Sequence, residues 1–476
     1  MPSFYVENFG CRATQADGAA IEEQFRQRGL DRANDLASAE VVVLNTCAVT
    51  TWAERDARAA IRRVRRNNPG CEVIVTGCYA QRAPQEIAAL PGVSCVVGNS
   101  HKHNLAQIIL RAQSEKDNSG TKSFIPLAEL AQKNVSTHSR DERIFVSDIF
   151  AHTTLLAAPV FDSANERTRP NLKIQDGCGN RCSFCIIPSL RGRSRSLKLE
   201  EVLREIGQLV AAGYREVVIS GINLGRWGRD LAAESVWGVR PRPPILEELV
   251  HAILDHTSLE KLRISSIEPM DWSDSFIELV ASSPRIAKHA HIPMQSGSDS
   301  VLRRMNRRYR PWHYREKIEK IRAAMPNAAI GADVMVGFPG ETDSDFDQTR
   351  RMIEDLPFTY LHVFTFSTRP GTPAAGMPNQ VPTGIARERN RILRELAAQK
   401  KSAFMQSFVG QTVEAITLNA GSGASRDPWT DALSDNYLKI RIHGTHAPNQ
   451  WMPVNVTAFK DSELIASPMC CSTRIT

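Results

Sequence analysis

The sequence has no apolar run approaching the roughly 18 to 20 residues that cross a bilayer. Its start, Met1-Pro2-Ser3-Phe4-Tyr5-Val6, has no basic segment followed by an apolar one. Neither a membrane span nor a secretory leader is expected, so the chain reads as cytoplasmic. It has no internal repeat beyond the alternation of strand and helix. Its surplus of positive charge is small, 59 Lys and Arg against 52 Asp and Glu, a formal +7. A surplus of that size suits a polyanionic partner only where the arginines cluster. Cysteine is too sparse for a disulfide framework: ten in 476 residues of a cytosolic chain argue for metal or redox chemistry. Apolar residues, by contrast, make up 42%, enough for a sizeable core, and the length suits about three domains.

The grouping of the cysteines matters more than their number. Residues 176–185, Asp-Gly-Cys-Gly-Asn-Arg-Cys-Ser-Phe-Cys, place Cys178, Cys182 and Cys185 within eight residues. With Gly177 and Gly179 letting the loop wrap closely, the spacing C-x3-C-x2-C can put three thiolates on three irons of a 4Fe-4S cube and leave the fourth iron without a protein ligand. A tetrahedral zinc site is the alternative. It needs a fourth ligand, and no Cys or His close by on the C-terminal side supplies one.

A second set lies upstream. A strand over residues 4–9 ends at Gly10-Cys11, and a helix over 16–28 follows. Val41-Val42-Val43-Leu44 is a continuous apolar run typical of a buried parallel strand, and it ends at Asn45-Thr46-Cys47. A helix carrying Arg55, Arg58, Arg62, Arg65 and Arg66 closes at Pro69-Gly70, and a strand over 72–76 ends at Gly77-Cys78. Strand and helix alternate, which predicts a parallel α/β layer. Cys11, Cys47 and Cys78 each fall just past the carboxyl end of a strand, the edge at which open parallel sheets bind ligands. Taken singly they are small buried hydrophobes, and Cys71 and Cys95 have the pattern of core packing.

Periodicity fades over residues 112–167, where 114–123 has linker composition and 143–150 and 151–161 read as strands. A second α/β region starts near Thr168. Strands over 216–220, 261–265, 289–294, 329–336 and 361–366 alternate with helices, all parallel, which predicts a full or partial barrel whose site lies at the carboxyl ends of its strands. A charged helix over 387–401 precedes alternating stretches at 409–418, 436–442 and 453–459, a small β-barrel of about 65 residues. Arginines gather at 62–66, 191–195 and 303–310, and two of these runs fall soon after the cysteine loops, where they would draw a phosphate backbone such as that of RNA.

These motifs carry a resemblance. Cys178-x3-Cys182-x2-Cys185, with Phe184 before the last cysteine, resembles the signature of the radical S-adenosylmethionine (SAM) enzymes. Gly10-Cys11, Asn45-Thr46-Cys47-Ala48-Val49-Thr50 and Gly77-Cys78-Tyr79-Ala80-Gln81 look like the amino-terminal domain of the methylthiotransferases, and Asn-Thr-Cys-Ala-Val-Thr is most similar to the branch acting on N6-threonylcarbamoyladenosine in tRNA. The stretches starting at His291, Asp333 and Phe364 also match the family, although Thr14 stands where the family usually has Asn. The resemblance implies an amino-terminal α/β domain over 1–112, a linker over 113–167, a radical SAM partial barrel over 168–402 and an RNA-binding TRAM-like β domain with a tail over 403–476.

It also implies the chemistry. Two 4Fe-4S clusters are expected, one on Cys178, Cys182 and Cys185 that chelates SAM and cleaves it to a 5'-deoxyadenosyl radical, and an auxiliary one on Cys11, Cys47 and Cys78 that carries sulfur. The reaction replaces the hydrogen on adenine C2 at position 37 of the tRNA anticodon stem-loop by a methylthio group. Phe184, Gly221, Asn223, Ser265, Glu268 and Gln295 are the candidates for SAM contact, the last five by strand-end position, and His291 reads as a packed residue. An electron donor such as a flavodoxin or ferredoxin is implied. Open alternatives are a methylthiotransferase acting on isopentenyladenosine of tRNA or on a ribosomal-protein aspartate, and an iron-sulfur RNA-binding sensor.

Overall fold

A computed structural model of the chain describes residues 3–117, 143–152, 155–156, 169–231, 242–420 and 428–469. They divide into two compact units, Met1–Ala158 with Ile187–Arg193, and Pro159–Ile186 with Ser194–Thr476.

The first unit is built on strands β1 (Ser3–Asn8), β2 (Asp31–Arg32), β3 (Val41–Thr46), β4 (Glu72–Gly77), β5 (Val93–Gly98) and β6 (Ile144–Phe145). They form one parallel sheet in the order β2-β1-β3-β4-β5-β6. β3 is buried along its whole length, as a central parallel strand covered on both faces must be. The helix Leu105–Asp117 runs into the stretch expected to be a linker, whose remainder lies outside the described residues. The strand expected over 143–150 is only the pair Ile144–Phe145, followed by a 3-10 turn at Ile149–Ala151; most of 151–161 is outside the described residues. Cys95 is buried within β5, as its pattern predicts.

The second unit holds β7 (Asn171–Asp176), β8 (Arg195–Ser196), β9 (Glu216–Gly221) and β10 (Lys261–Ile264), in the order β10-β9-β7-β8, then β11 (His289–His291), β12 (Ala329–Val336) and β13 (Tyr360–Thr365), in that order. The two sheets meet where Leu262 bridges to Ile286, with the Leu262 N–H donating to Arg285 O at 2.7 Å. This is a partial barrel. The expected strands pair parallel, β7, β9 and β10 in one sheet and β11, β12 and β13 in the other; the two-residue β8, which carries no sequence signal, is added antiparallel to the end of β7. β11 ends at His291, short of the expected 294, since Pro293 has no N–H to give and Gln295 takes a left-handed backbone at φ +62°.

Five strands, β14 (Thr412–Ala420), β15 (Trp429–Ser434), β16 (Lys439–His443), β17 (Trp451–Lys460) and β18 (Glu463–Pro468), close a barrel in the order β14-β15-β16-β18-β17. Two of them, β15 and β18, carry no clear sequence signal. The barrel sits against the amino ends of the partial-barrel strands. Arg263 donates to Ser434 O and Asp435 O (3.2 and 3.0 Å), Asn436 Nδ2 to Asn327 O (2.8 Å) and Asn449 Nδ2 to Gly213 O (2.7 Å). The carboxyl ends, where the cysteine loop lies, are left to the site.

One carboxylate ties down the loop after β11. Asp345 forms a capping box with Thr342 at the start of helix Asp343–Asp355 and also accepts from the hydroxyls of Ser298 (2.5 Å) and Ser300. Burial opposes its charge, but these hydrogen bonds outweigh burial and hold the carboxyl down at about 2. Against an unfolded value near 3.8, that is about 2 kcal/mol of stability, present above about pH 4 and lost as the pH falls toward 2. Asp345→Asn is expected to lower the urea stability by about that amount at pH 7 and by roughly half of it at pH 3. An equal deficit at both values would sink the assignment.

Candidate active site: two sets of three cysteines

In the first unit the strands leading to Cys11, Cys47 and Cys78 are neighbours, with Asn8 opposite Asn45 and Thr46 opposite Gly77. The three cysteines therefore emerge side by side on one carboxyl edge. Two glycines permit the close approach. A Cβ on Gly10 (φ +104°) would lie 2.6 Å from Cys47 Cβ, and one on Gly77 (φ +97°) would lie 2.3 Å from Thr46 O; backbone and space both exclude a larger residue. Cys11 is exposed, whereas Cys47 and Cys78 are buried. Burial, together with the neighbouring Cys78 and Cys11, pushes the Cys47 thiol up to about 11, with Arg191 opposing. A metal must displace protons to bind here. Thr14 keeps a polar group by the first cysteine, its Oγ1 3.6 Å from Cys11 Sγ, and Asn99 Nδ2 lies 3.6 Å from Cys78 Sγ. Three sulfurs converging from adjacent strands suit a three-thiolate cluster, whose ligands sit on separate irons. Among the described residues no three His, Cys, Asp or Glu side chains gather tightly enough to grip a single ion.

Beside this set lies a buried ion triad. Lys102 Nζ and Arg191 Nη2 each approach Asp17 Oδ2 to 2.9 Å, and all three residues are buried. Asn99 Nδ2, which reaches Cys78, also donates to Leu190 O at 2.8 Å. The arginine run at 191–195 was expected to face a polyanion, and that expectation is corrected here. Arg191 is in the triad and Arg195 is buried near Asp176, which leaves Arg193 exposed. A buried carboxylate draws cations inward because it has no water to solvate it.

In the second unit Cys178, Cys182 and Cys185 follow β7. Gln175, fully buried, organises the loop. Its Nε2 donates to Asp176 O (3.0 Å) and Gly177 O (2.7 Å), while its Oε1 accepts the Asn223 N–H at 2.7 Å. Gly221 faces it, and an added Cβ would lie 2.8 Å from Gln175 Oε1; packing alone accounts for this glycine. The far end of the loop is held by Ser183, whose N–H donates to Met305 O (3.1 Å) and whose Oγ donates to Arg304 O (2.7 Å). N–H groups aim at the sulfurs. The Asn180 N–H and Asn223 Nδ2 approach Cys178 Sγ at 3.4 and 3.5 Å, and Arg307 Nη1 approaches Cys182 Sγ at 3.2 Å. Burial raises the Cys178 thiol, with Asn180 and Asn223 opposing. Such donors tune thiolate-bound clusters, so this loop too fits a three-thiolate site.

An open recess of about 190 Å³ lies beside the loop, lined by Asn180, Cys182, Arg226, Glu268, Arg307 and Tyr309 among others. Of the strand-end candidates, Glu268 lines it. Glu268 forms an ion pair with Arg307, and burial raises its carboxyl against the pull of that arginine. Tyr309 OH stands 3.2 Å from Arg307 Nε and 2.8 Å from Met294 O. Asn223 and Gln295 each keep a buried side-chain oxygen without a protein partner. Ser265 is half-buried, its N–H on Ile219 O at 3.1 Å, and Phe184 meets Phe338 edge-on at 6.5 Å. His291 packs against Tyr360 and His362, with Nε2 3.4 Å from Asp333 Oδ1.

Arg226, Arg307 and Tyr309 are absent from the sequence-based candidates. The run 303–310 reads as bait for phosphate, yet Arg303 and Arg310 pair with Asp299 (2.8 and 3.2 Å), Arg304 donates to Gly340 O (2.9 Å) and Arg307 turns inward. The available signal is the interleaving of Leu302, Met305 and Tyr309 with the arginines, which commits one side of the run to the core.

The radical SAM superfamily matches residues 172–353, and the Uncharacterized protein family UPF0004 matches residues 3–98. The chain is 35% identical over 445 residues to the threonylcarbamoyladenosine tRNA methylthiotransferase MtaB of Bacillus subtilis, covering 94% of this chain and 91% of that one. It is 33% identical over 440 residues to MtaB of Aquifex aeolicus, with 92% and 96% covered. It is also 32% identical over 430 residues to the tRNA-2-methylthio-N(6)-dimethylallyladenosine synthase of Thermobifida fusca, with 89% and 79% covered. Among solved structures it is similar in fold to the radical SAM methyltransferase TsrM of Kitasatospora setae, with a TM-score of 0.53, 15% identity, and 89% of this chain and 79% of that chain covered. With both cysteine sets inside the matched regions and more than nine-tenths of its length shared with such relatives, the chain belongs to the radical SAM tRNA methylthiotransferase family, on its threonylcarbamoyladenosine branch.

Proposed function

We propose that this enzyme methylthiolates adenine C2 of N6-threonylcarbamoyladenosine at position 37 of tRNA, with SAM and two 4Fe-4S clusters. Cys178, Cys182 and Cys185 would hold one cluster, and Cys11, Cys47 and Cys78 the other. The observation that carries this reading is the pair of three-cysteine sets, one at the carboxyl edge of a parallel sheet and one directly after the carboxyl end of β7, in a chain of this family. When bound, the clusters and SAM supply radical chemistry strong enough for an unactivated ring C–H bond and a sulfur to insert, neither of which a side chain provides.

The chain's own residues bind and orient. Arg307 and Asn223 place N–H donors on two of the thiolates, and Tyr309 and Glu268 hold Arg307 in place. The unpartnered oxygens of Asn223 and Gln295 are acceptors suited to the ammonium group of an amino acid such as SAM, since buried oxygens ordinarily find a donor. Glu268 offers a carboxylate on the recess wall. Gly221 contributes by admitting Gln175, Phe184 by anchoring the loop on Phe338, and Ser265 from the end of β10. An anticodon stem-loop is the proposed ligand, a flavodoxin or ferredoxin the proposed electron donor, and the cytoplasm the proposed compartment. No helix among the described residues is long and apolar enough to cross a membrane.

Nucleoside mass spectrometry of tRNA from a deletion strain tests the substrate. The expected result is loss of the 2-methylthio derivative of N6-threonylcarbamoyladenosine, with its unmodified precursor accumulating. Loss of a methylthiolated isopentenyladenosine instead would overturn the reading in favour of the other tRNA substrate.

A further inference from the structure

The helix Thr51–Asn67 begins four residues after Cys47, capped by Thr50, whose side chain accepts the Ala53 N–H at 3.2 Å. Its inner face packs with Ala57, Ala60, Ile61 and Val64. Its outer face has an unusual head. Trp52 is 69% exposed, and Arg55 lies over its ring with Cζ 5.2 Å from the centroid. At 100° per residue, Trp52, Arg55, Arg62 and Arg66 fall within an arc of about 80°, and all four are exposed. Arg58 and Arg63 are taken up by Glu86 and Glu7, whereas Arg62 and Arg66 have no acidic partner among the described residues. Of the helix's two acids, Asp56 lies about 40° past Trp52, outside the arc, and Glu54 is buried on Arg82 at 2.8 Å.

A solvated charged face needs no tryptophan, and an indole left this open keeps a large apolar surface in water. Exposed aromatic rings flanked by cations are how proteins hold single-stranded nucleic acid: a base stacks on the ring and the cations follow the phosphates. The stripe starts at the carboxyl edge of the sheet, the edge that carries Cys11, Cys47 and Cys78. We infer that the Trp52–Arg66 stripe is an RNA-binding surface, on which Trp52 stacks an unpaired base of the substrate loop and Arg62 and Arg66, about 15 and 21 Å farther along the helix, contact phosphates farther along the same RNA. This rests on the proposed tRNA substrate and assigns to the first unit a share of the RNA contact beyond that of the C-terminal barrel.

The test is fluorescence anisotropy of a labelled anticodon stem-loop with anaerobic holoenzyme over a range of salt. Trp52→Ala is expected to weaken binding about tenfold, within the range for one stacked base, with an unchanged salt dependence, and Trp52→Phe to recover most of it. Arg62→Gln with Arg66→Gln is expected to lower the slope of log K against log salt by about 1.5, the share of two phosphate contacts. Iron content and circular dichroism should stay at wild-type values, since all these side chains are exposed. Wild-type affinity and slope in both sets of variants would overturn this inference alone. Failure of the wild-type enzyme to bind the stem-loop would remove both it and the tRNA reading.

Discussion

A Cys47→Ala enzyme is expected to cleave SAM reductively at close to the wild-type rate and to leave its tRNA without a methylthio group. Cys47 is central in its set: β3 lies between β1 and β4, so its loss removes the middle of three sulfurs. It lies in the six-stranded sheet of the first unit, and none of the hydrogen bonds that build the Cys178 loop passes through it. On the proposed two-cluster reading, iron should fall from about eight to about four per chain. Cys182→Ala gives the converse, with no SAM cleavage and hence no product. The readouts are iron content, 5'-deoxyadenosine and methylthiolated nucleoside from the same preparation. Equal loss of cleavage and of product in Cys47→Ala would mean that the Cys11, Cys47 and Cys78 set is structural.

Asp17→Asn is expected to destabilise the first unit by about 3 to 5 kcal/mol, the usual cost of stripping one partner from a buried ion group. Lys102 and Arg191 share Asp17 Oδ2. Without that carboxylate two cations stay buried, where burial already pushes the Lys102 ammonium down in pKa and Asp17 is the largest opposing influence. The surplus positive charge faces the cysteines, with Arg191 lowering the Cys47 thiol and Cys78 favouring the charged form of Lys102. Asn is nearly isosteric with Asp, so the loss comes from the unpaired charge and not from packing. Urea unfolding followed in the first unit measures the loss, and adding Lys102→Met should restore part of it, because the pair is coupled. Near-wild-type stability in Asp17→Asn would show that the triad is not held as the geometry indicates.

The α/β layer was legible because a parallel strand buried on both faces needs an unbroken apolar run, and Val41 to Leu44 is one. The cysteine sets were legible for a related reason. Strand ends can be read from the chain, and in a parallel sheet those ends share one edge. The strands β15 and β18 were not legible, since each is six residues long and gains its regularity by pairing with partners in the closed barrel. The same holds for β8, two residues whose direction is set by the loop behind them.

The arginines divide the two kinds of information most clearly. Local pattern marks Arg191 and Arg307 as members of basic runs, and a basic run is ordinarily a solvated face. Arg191 is instead buried on an acid 174 positions away, and Arg307 on a cysteine 125 positions away. By itself the sequence determined the cysteine spacing, the alternation of strand and helix, and the family, all of which depend on neighbours along the chain. Only the tertiary structure decided which charges face water and which face the sulfurs, because the energy of a charge depends on its burial and on partners that the chain order does not name.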